Sequence, residues 1–142
     1  MLKFLRPTRR MSMAVERITA RELAEILKDP ARRNSVRIID VRDSDFIGGH
    51  IRGAVNLPED NFQDDDDVDA IVLDFKAVPQ IVFHCMMSQV RGPFCAKRFK
   101  SRMEIILEDE PSKPDVRVLY GGFQLFGREY RNDPELVEDM DL

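Results

Sequence analysis

Leu23, Ile26 and Leu27 fall three and four positions apart, the spacing of one apolar helical face. The run opens at Thr19, which can cap a helix while Glu22 reaches back from three residues later, and Pro30 ends it. Residues 36–41 (VRIIDV) are a β-branched run of strand type that opens into the polar turn Arg42-Asp43-Ser44-Asp45, after which Gly48-Gly49 break the chain again. From Glu59 to Asp74 there are eight acids and no base, with Asp64 to Asp67 in unbroken series, which predicts a solvated loop running into a short helix. A metal site is the sharper alternative there, but four consecutive carboxylates cannot converge on one ion, and the spaced ligands and glycine of a calcium loop are absent. Ile81-Val82-Phe83 predicts a strand, His84 to Arg91 a loop, and residues 93–107 a helix with Pro93 at its first position. Residues 116–120 read as a strand, Gly121-Gly122 as a turn and residues 123–130 as a last helix. After Arg131 the chain is acidic and is expected to be loose.

Strands alternating with helices predict an α/β domain with a mainly parallel central sheet flanked by helices, whose ligand sites lie at the carboxyl ends of the strands. With 142 residues, 43% of them hydrophobic, the chain holds one core: a basic N-terminus over 1–15, one domain over 16–132 and an acidic tail over 133–142. A net charge of -4 with charged residues at 34% points neither to bulk attraction for nucleic acid nor to compositional disorder. The longest apolar runs fall far short of the roughly 20 residues needed to span a membrane. The only cysteines, Cys85 and Cys95, offer neither zinc spacing nor a disulfide framework, so a reducing compartment is expected, cytoplasmic or nuclear. Lys3, Arg6, Arg9 and Arg10 with no acid before residue 16 leave an organelle leader open beside a plain basic terminus. The oligomeric state is not legible.

Cys85 directly follows the Ile81–Phe83 strand, and Cys85-Met86-Met87-Ser88-Gln89-Val90-Arg91 makes a C-x5-R pattern that feeds a helix. The pattern alone is common in a chain so rich in arginine; its context is not, because residues 75–103 contain no acid. Backbone N–H groups of Met86 to Arg91 can turn inward as a nest, the helix terminus adds partial positive charge, and Arg91 offers two parallel donors to tetrahedral oxygens. The same field favours Cys85 as a nucleophilic thiolate. Cys95 shares a helical face with Phe99, Met103 and Ile106 and reads as core. His84 either tunes the thiolate or braces the loop by hydrogen bonding.

These residues bear a family likeness. Ile38-Ile39-Asp40-Val41-Arg42, followed by Gly49-His50-Ile51-Arg52-Gly53-Ala54-Val55-Asn56-Leu57-Pro58, resembles the signature of rhodanese domains, and Leu119-Tyr120-Gly121-Gly122-Phe123 resembles their closing segment. Sulfurtransferases of that fold carry a six-residue loop; the seven-residue loop here, with His84-Cys85 and Arg91-Gly92-Pro93, is similar to the dual-specificity phosphatases that activate cell-cycle kinases and to the small eukaryotic arsenate reductases. The resemblance implies a cysteine-dependent phosphatase with Cys85 as nucleophile and Arg91 as oxyanion clamp. It would act on a phosphorylated substrate without metal or cofactor. Its alternative is an arsenate reductase that needs glutathione or glutaredoxin as external reductant. A non-catalytic binding module with the acidic 59–74 segment as its contact surface, and a sulfurtransferase, are further alternatives. The cell-cycle phosphatases carry acids where this loop has Met86 and Val90, and a second cysteine where this chain has Val41, so no internal disulfide to Cys85 is expected. Residues 88–91 look more like the arsenate reductases and stand-alone phosphatases. Asp43 and Asp45 are positional candidates for a general acid.

Overall fold

The computed structural model describes residues 14–140. In chain order its elements are β1 (Glu16–Ile18), α1 (Ala20–Lys28), β2 (Val36–Asp40), β3 (His50–Ile51), β4 (Val55–Asn56), α2 (Asp65–Phe75), β5 (Gln80–His84), α3 (Arg91–Ile106), β6 (Asp115–Leu119), α4 (Gly122–Tyr130) and β7 (Val137–Glu138). Five strands form an all-parallel sheet in the order β1-β6-β5-β2-β4, and β3 pairs antiparallel with β7. The central strand, β5, delivers its carboxyl end to the loop that carries Cys85.

Alternation along the strands sorts two cores to the two faces of this sheet. Ile39, Val41, Ile81, Phe83 and Cys85 pack with Val68 and Val72 of α2 and with Cys95, Phe99 and Met103 of α3. Ile38, Val82 and Leu119 face the other way, against Leu23 and Ala24 of α1 and Phe123 and Phe126 of α4. Burial of strands on both faces is what a parallel sheet requires, and it explains why 36–41 reads as an apolar run rather than an alternation.

The start of α1 follows its sequence signal: the Thr19 hydroxyl accepts from the Glu22 amide at 3.1 Å, and the Glu22 carboxylate accepts from the Thr19 amide at 2.9 Å. The acidic stretch becomes a short 3-10 turn over Glu59–Phe62, with Phe62 fully buried, and then α2, whose first turn carries Asp65, Asp66 and Asp67 where a helix terminus favours negative charge. Part of that charge is spent on α3. Arg98 reaches Asp65 at 2.8 Å and Arg102 reaches Asp69 at 2.6 Å, so these two acids bind two helices together, while Asp64, Asp66 and Asp67 stay exposed.

Some expectations change. The chain does not loosen after Arg131: Leu136 and Val137 are buried, Lys28 pairs with Asp133 at 2.6 Å, and β7 closes a ladder with β3. The third helix starts at Arg91, two residues early, because Pro93 needs only a place in the first turn, where its missing N–H has no helical partner to lose. Strands β1, β3, β4 and β7, two or three residues each, carry too little periodicity to be seen in sequence. The basic leader lies outside the described residues except for Ala14 and Val15, which lean on α3 and the α2/α3-side core. No helix among the described residues is long and apolar enough to cross a membrane.

Candidate active site

Cys85 leaves the end of β5 and is nearly buried, its Sγ accepting a hydrogen bond from the Gly92 amide at 3.2 Å. That donor belongs to the first turn of α3, one of the N–H groups a helix cannot use internally, so thiol and helix terminus meet at the floor of the loop. A side chain at Gly92 would come within 3.3 Å of the Cys85 amide nitrogen and the His84 Cα, which is why the residue after Arg91 is so small. Between them the loop turns through Ser88, which takes a positive φ of 55°. A left-handed residue within a tight loop is one way a chain can curl its amides toward one centre. Ser88 is fully buried, its hydroxyl has no partner among the described residues, and its carbonyl is pinned from outside by Arg17 at 3.1 Å.

The back of the loop is held by α4. The amides of Phe123 and Gln124 donate to the carbonyls of Cys85 and Met86 at 3.0 and 2.8 Å. Gly122, at φ 60°, passes so close that an added Cβ would stand 2.4 Å from the Met86 carbonyl oxygen. The Gly121-Gly122 pair is therefore part of the loop's mounting and not only a turn.

Beneath the loop lies a buried charge network. Arg42 grips Asp40 with Nε and Nη2 (2.9 and 2.7 Å to its two oxygens), donates to the carbonyls of Asp45 and Gly49 at 2.9 Å each, and lies 4.5 Å from the centre of the Phe123 ring. Both partners are out of contact with water. The sequence places Arg42 in a polar turn; the structure corrects this, since it is among the largest fully buried side chains. His84 completes the group, its Nδ1 donating to the Cys85 carbonyl at 3.0 Å and its Nε2 lying 3.6 Å from Asp40. Complete burial pushes its pKa down against the pull of Asp40, so the ring is neutral. Its hydrogen bond to the Cys85 carbonyl is the contact that a brace of the loop would make.

Arg91 opens α3 from the last loop position, and its guanidinium is held by Asp45, at 2.8 Å from Nη2 to Oδ2 and 3.3 Å from Nη1 to Oδ1. The hydrogen bond from Arg91, more than its charge at a distance, holds the Asp45 carboxyl below its usual range. Asp45 thus stands beside the loop, paired with Arg91 while no anion competes for the guanidinium. The stretch without acids is acid-free along the chain only; folding brings this carboxylate in from the β2–β3 connection.

The remaining loop side chains divide by exposure. Met86 packs against the α1/α4-side core, whereas Met87, Gln89 and Val90 point outward and leave only their backbone to the loop interior. Cys95 is fully buried, and burial raises its thiol pKa far above the usual range, which keeps it protonated. Cys95→Ala is expected to cost about 1 kcal/mol in urea denaturation and to leave the alkylation rate of Cys85 within a few fold. Loss of Cys85 reactivity in that variant would make the two thiols partners instead.

A nearly buried thiol, a curled loop, a helix terminus and an adjacent guanidinium can together receive a tetrahedral oxyanion and attack its central atom. Comparison with known proteins agrees. The rhodanese-like domain family model matches residues 19–129. The dual specificity phosphatase Cdc25 of Arabidopsis thaliana is 35% identical over 123 residues, 84% of this chain and 80% of that protein. Arsenate reductase 2.2 of Oryza sativa subsp. japonica is 31% identical over 122 residues, 83% of this chain and 88% of that protein. Among solved structures, the As-Sb reductase from Leishmania major superposes with a TM-score of 0.76 at 29% identity, covering 87% of this chain and 85% of its own.

Proposed function

The chain belongs to the rhodanese-like domain family, and from that premise we propose that it is a cysteine-dependent phosphatase. Cys85 attacks the phosphorus of a phosphate ester in line, the S–P bond forms as the ester O–P bond breaks, and the leaving oxygen takes a proton from water. Water then hydrolyses the phosphocysteine, returning the thiolate and inorganic phosphate. Arg91 and the loop amides, from Met86 to Arg91, bear the charge of the equatorial oxygens, and His84 braces the Cys85 carbonyl from below. The observation that supports this reading most is the floor of the seven-residue loop, where the Gly92 amide of α3 donates to the Cys85 sulfur at 3.2 Å.

Arg91 has two claimants, Asp45 and the incoming dianion. Binding substrate means exchanging one for the other, and a freed Asp45 carboxyl then regains its ordinary proton affinity beside the leaving group. Asp45→Asn removes the competitor, so inorganic phosphate should inhibit that variant several-fold more tightly than the wild type in an aryl phosphate assay. An unchanged inhibition constant would mean that Arg91 does not turn to the anion.

A second reading, thiol-dependent arsenate reduction, is favoured by the likeness to the rice and Leishmania proteins. Arsenate would take the place of phosphate on Cys85, with glutathione or glutaredoxin supplying the two electrons that yield arsenite. Assaying the chain side by side on an aryl phosphate, on arsenate with glutathione and glutaredoxin, and on thiosulfate with cyanide decides among the chemistries. Turnover of the aryl phosphate without thiol is expected. Turnover of arsenate alone, or of thiosulfate alone, would replace the phosphatase reading with reductase or sulfurtransferase, and inactivity on all three would leave a binding module.

A further inference from the structure

A groove of about 490 Å³ adjoins the outer side of the Cys85 loop. Met87, Ser88 and Gln89 line it from the loop, Tyr120 and Gln124 from the end of β6 and the start of α4. Arg17 and Arg128 line it as well, and no acid does. Among the described residues, no carboxylate oxygen lies within 4 Å of either guanidinium. Arg17 donates to a carbonyl, that of Ser88. Arg42, Arg91, Arg98, Arg102 and Arg117 each have a carboxylate partner, whereas Arg17 and Arg128 share with Arg33, Arg37 and Arg52 the lack of one.

The surroundings are apolar as well as basic. Eight large hydrophobic side chains are exposed among the described residues, and five of them belong to the loop or its margins. Met87 and Val90 are in the loop, Phe94 is in the first turn of α3, Ile47 follows the Asp45 turn, and Tyr120 borders the groove. A free oxyanion would be enclosed by the loop alone and would touch none of these side chains. Exposed apolar side chains gathered around one site mark contact with something larger.

We infer that the groove is a subsite for an acidic side chain lying near the phosphorylated residue of a protein substrate, held by Arg17 and Arg128 while the rim packs on the flanking residues. This deepens the phosphatase reading and rests on it. The groove is walled by the same loop that carries Cys85, so the acid belongs close to the phosphorylated residue along the substrate chain.

The test uses two phosphotyrosine peptides that differ only in flanking glutamate against flanking glutamine, together with an aryl phosphate. Wild-type kcat/KM should favour the glutamate peptide by about fivefold, the range of an exposed ion pair. Arg128→Glu, an exposed change on α4, should abolish or reverse that preference and leave aryl phosphate turnover unchanged. Binding of both peptides to Cys85→Ser, read by fluorescence anisotropy, reports the same preference independently of turnover. Equal affinity and equal kcat/KM for the two peptides, with the aryl phosphate still hydrolysed, would overturn the subsite and leave the phosphatase standing. Failure to hydrolyse any of the three phosphate esters would overturn the phosphatase reading, and the substrate class with it.

Discussion

Cys85→Ser is expected to lower aryl phosphate turnover by on the order of 10⁴-fold while leaving inorganic phosphate binding measurable by calorimetry. The two outcomes separate because the chemistry and the cradle use different atoms. Sulfur forms and breaks the covalent bond, whereas the oxygens are held by loop amides and Arg91, and those are fixed by contacts that do not involve the thiol. Phe123 and Gln124 still donate to the loop carbonyls, Arg17 still pins Ser88, and the hydroxyl that replaces the thiol can accept from the Gly92 amide as the sulfur does. Retention of more than about a hundredth of the activity would place the nucleophile elsewhere. Loss of phosphate binding along with turnover would show that the thiol shapes the cradle and does more than react in it.

Arg42→Met should be the most destabilising single change in the site, by about 3–5 kcal/mol in urea denaturation, because it strands the Asp40 carboxylate where no water reaches it. It also leaves the carbonyls of Asp45 and Gly49 without their donor. Replacing the pair together, Asp40→Leu with Arg42→Met, should recover part of the loss. A single variant as stable as the wild type would mean that Asp40 takes up a proton at little cost. The neutral His84 beside them has a consequence for acid: the unfolded chain lets the ring take a proton near its ordinary value of 6.5, which the folded chain resists. The unfolded state then binds more protons, so stability should fall as the pH drops below about 6.5. Asp45, whose carboxyl is depressed by Arg91, contributes above the ordinary carboxylate range and loses that contribution only in stronger acid.

Legibility in the sequence followed locality. The capping box at Thr19, the β-branched cores of β2, β5 and β6 and the strand–loop–helix around Cys85 are each written within a few neighbouring residues, and each stands where the sequence puts it. Contacts between distant segments were not written in any window. Nothing in the turn 42–45 says that Arg42 points inward while Asp45 reaches Arg91, 46 positions on. The spacing Asp40-Val41-Arg42 did hold a signal: two charges at one remove from each other at the carboxyl end of a mostly buried strand fall on one face, and burial then forces them to pair. The acidic tail misled for the opposite reason. Its charge suggested solvation, yet Leu136 and Val137 between the acids are enough to anchor it.

That anchored tail ties the reactive loop to the far end of the chain. Strand β7 pairs with β3, Glu138 takes hydrogen bonds from His50, 88 positions earlier, and from the Gly53 amide, and the Phe46 ring stacks on His50, so the turn bearing Asp45 is fastened by the last residues of the fold. A two-residue ladder has few hydrogen bonds to hold it, and units so small can open before a domain melts as a whole. The working limit of the enzyme is then a sub-global transition. On heating, the partner of Arg91 loses its mooring while the five-stranded sheet persists, and turnover should fade at temperatures where circular dichroism still reports a folded protein.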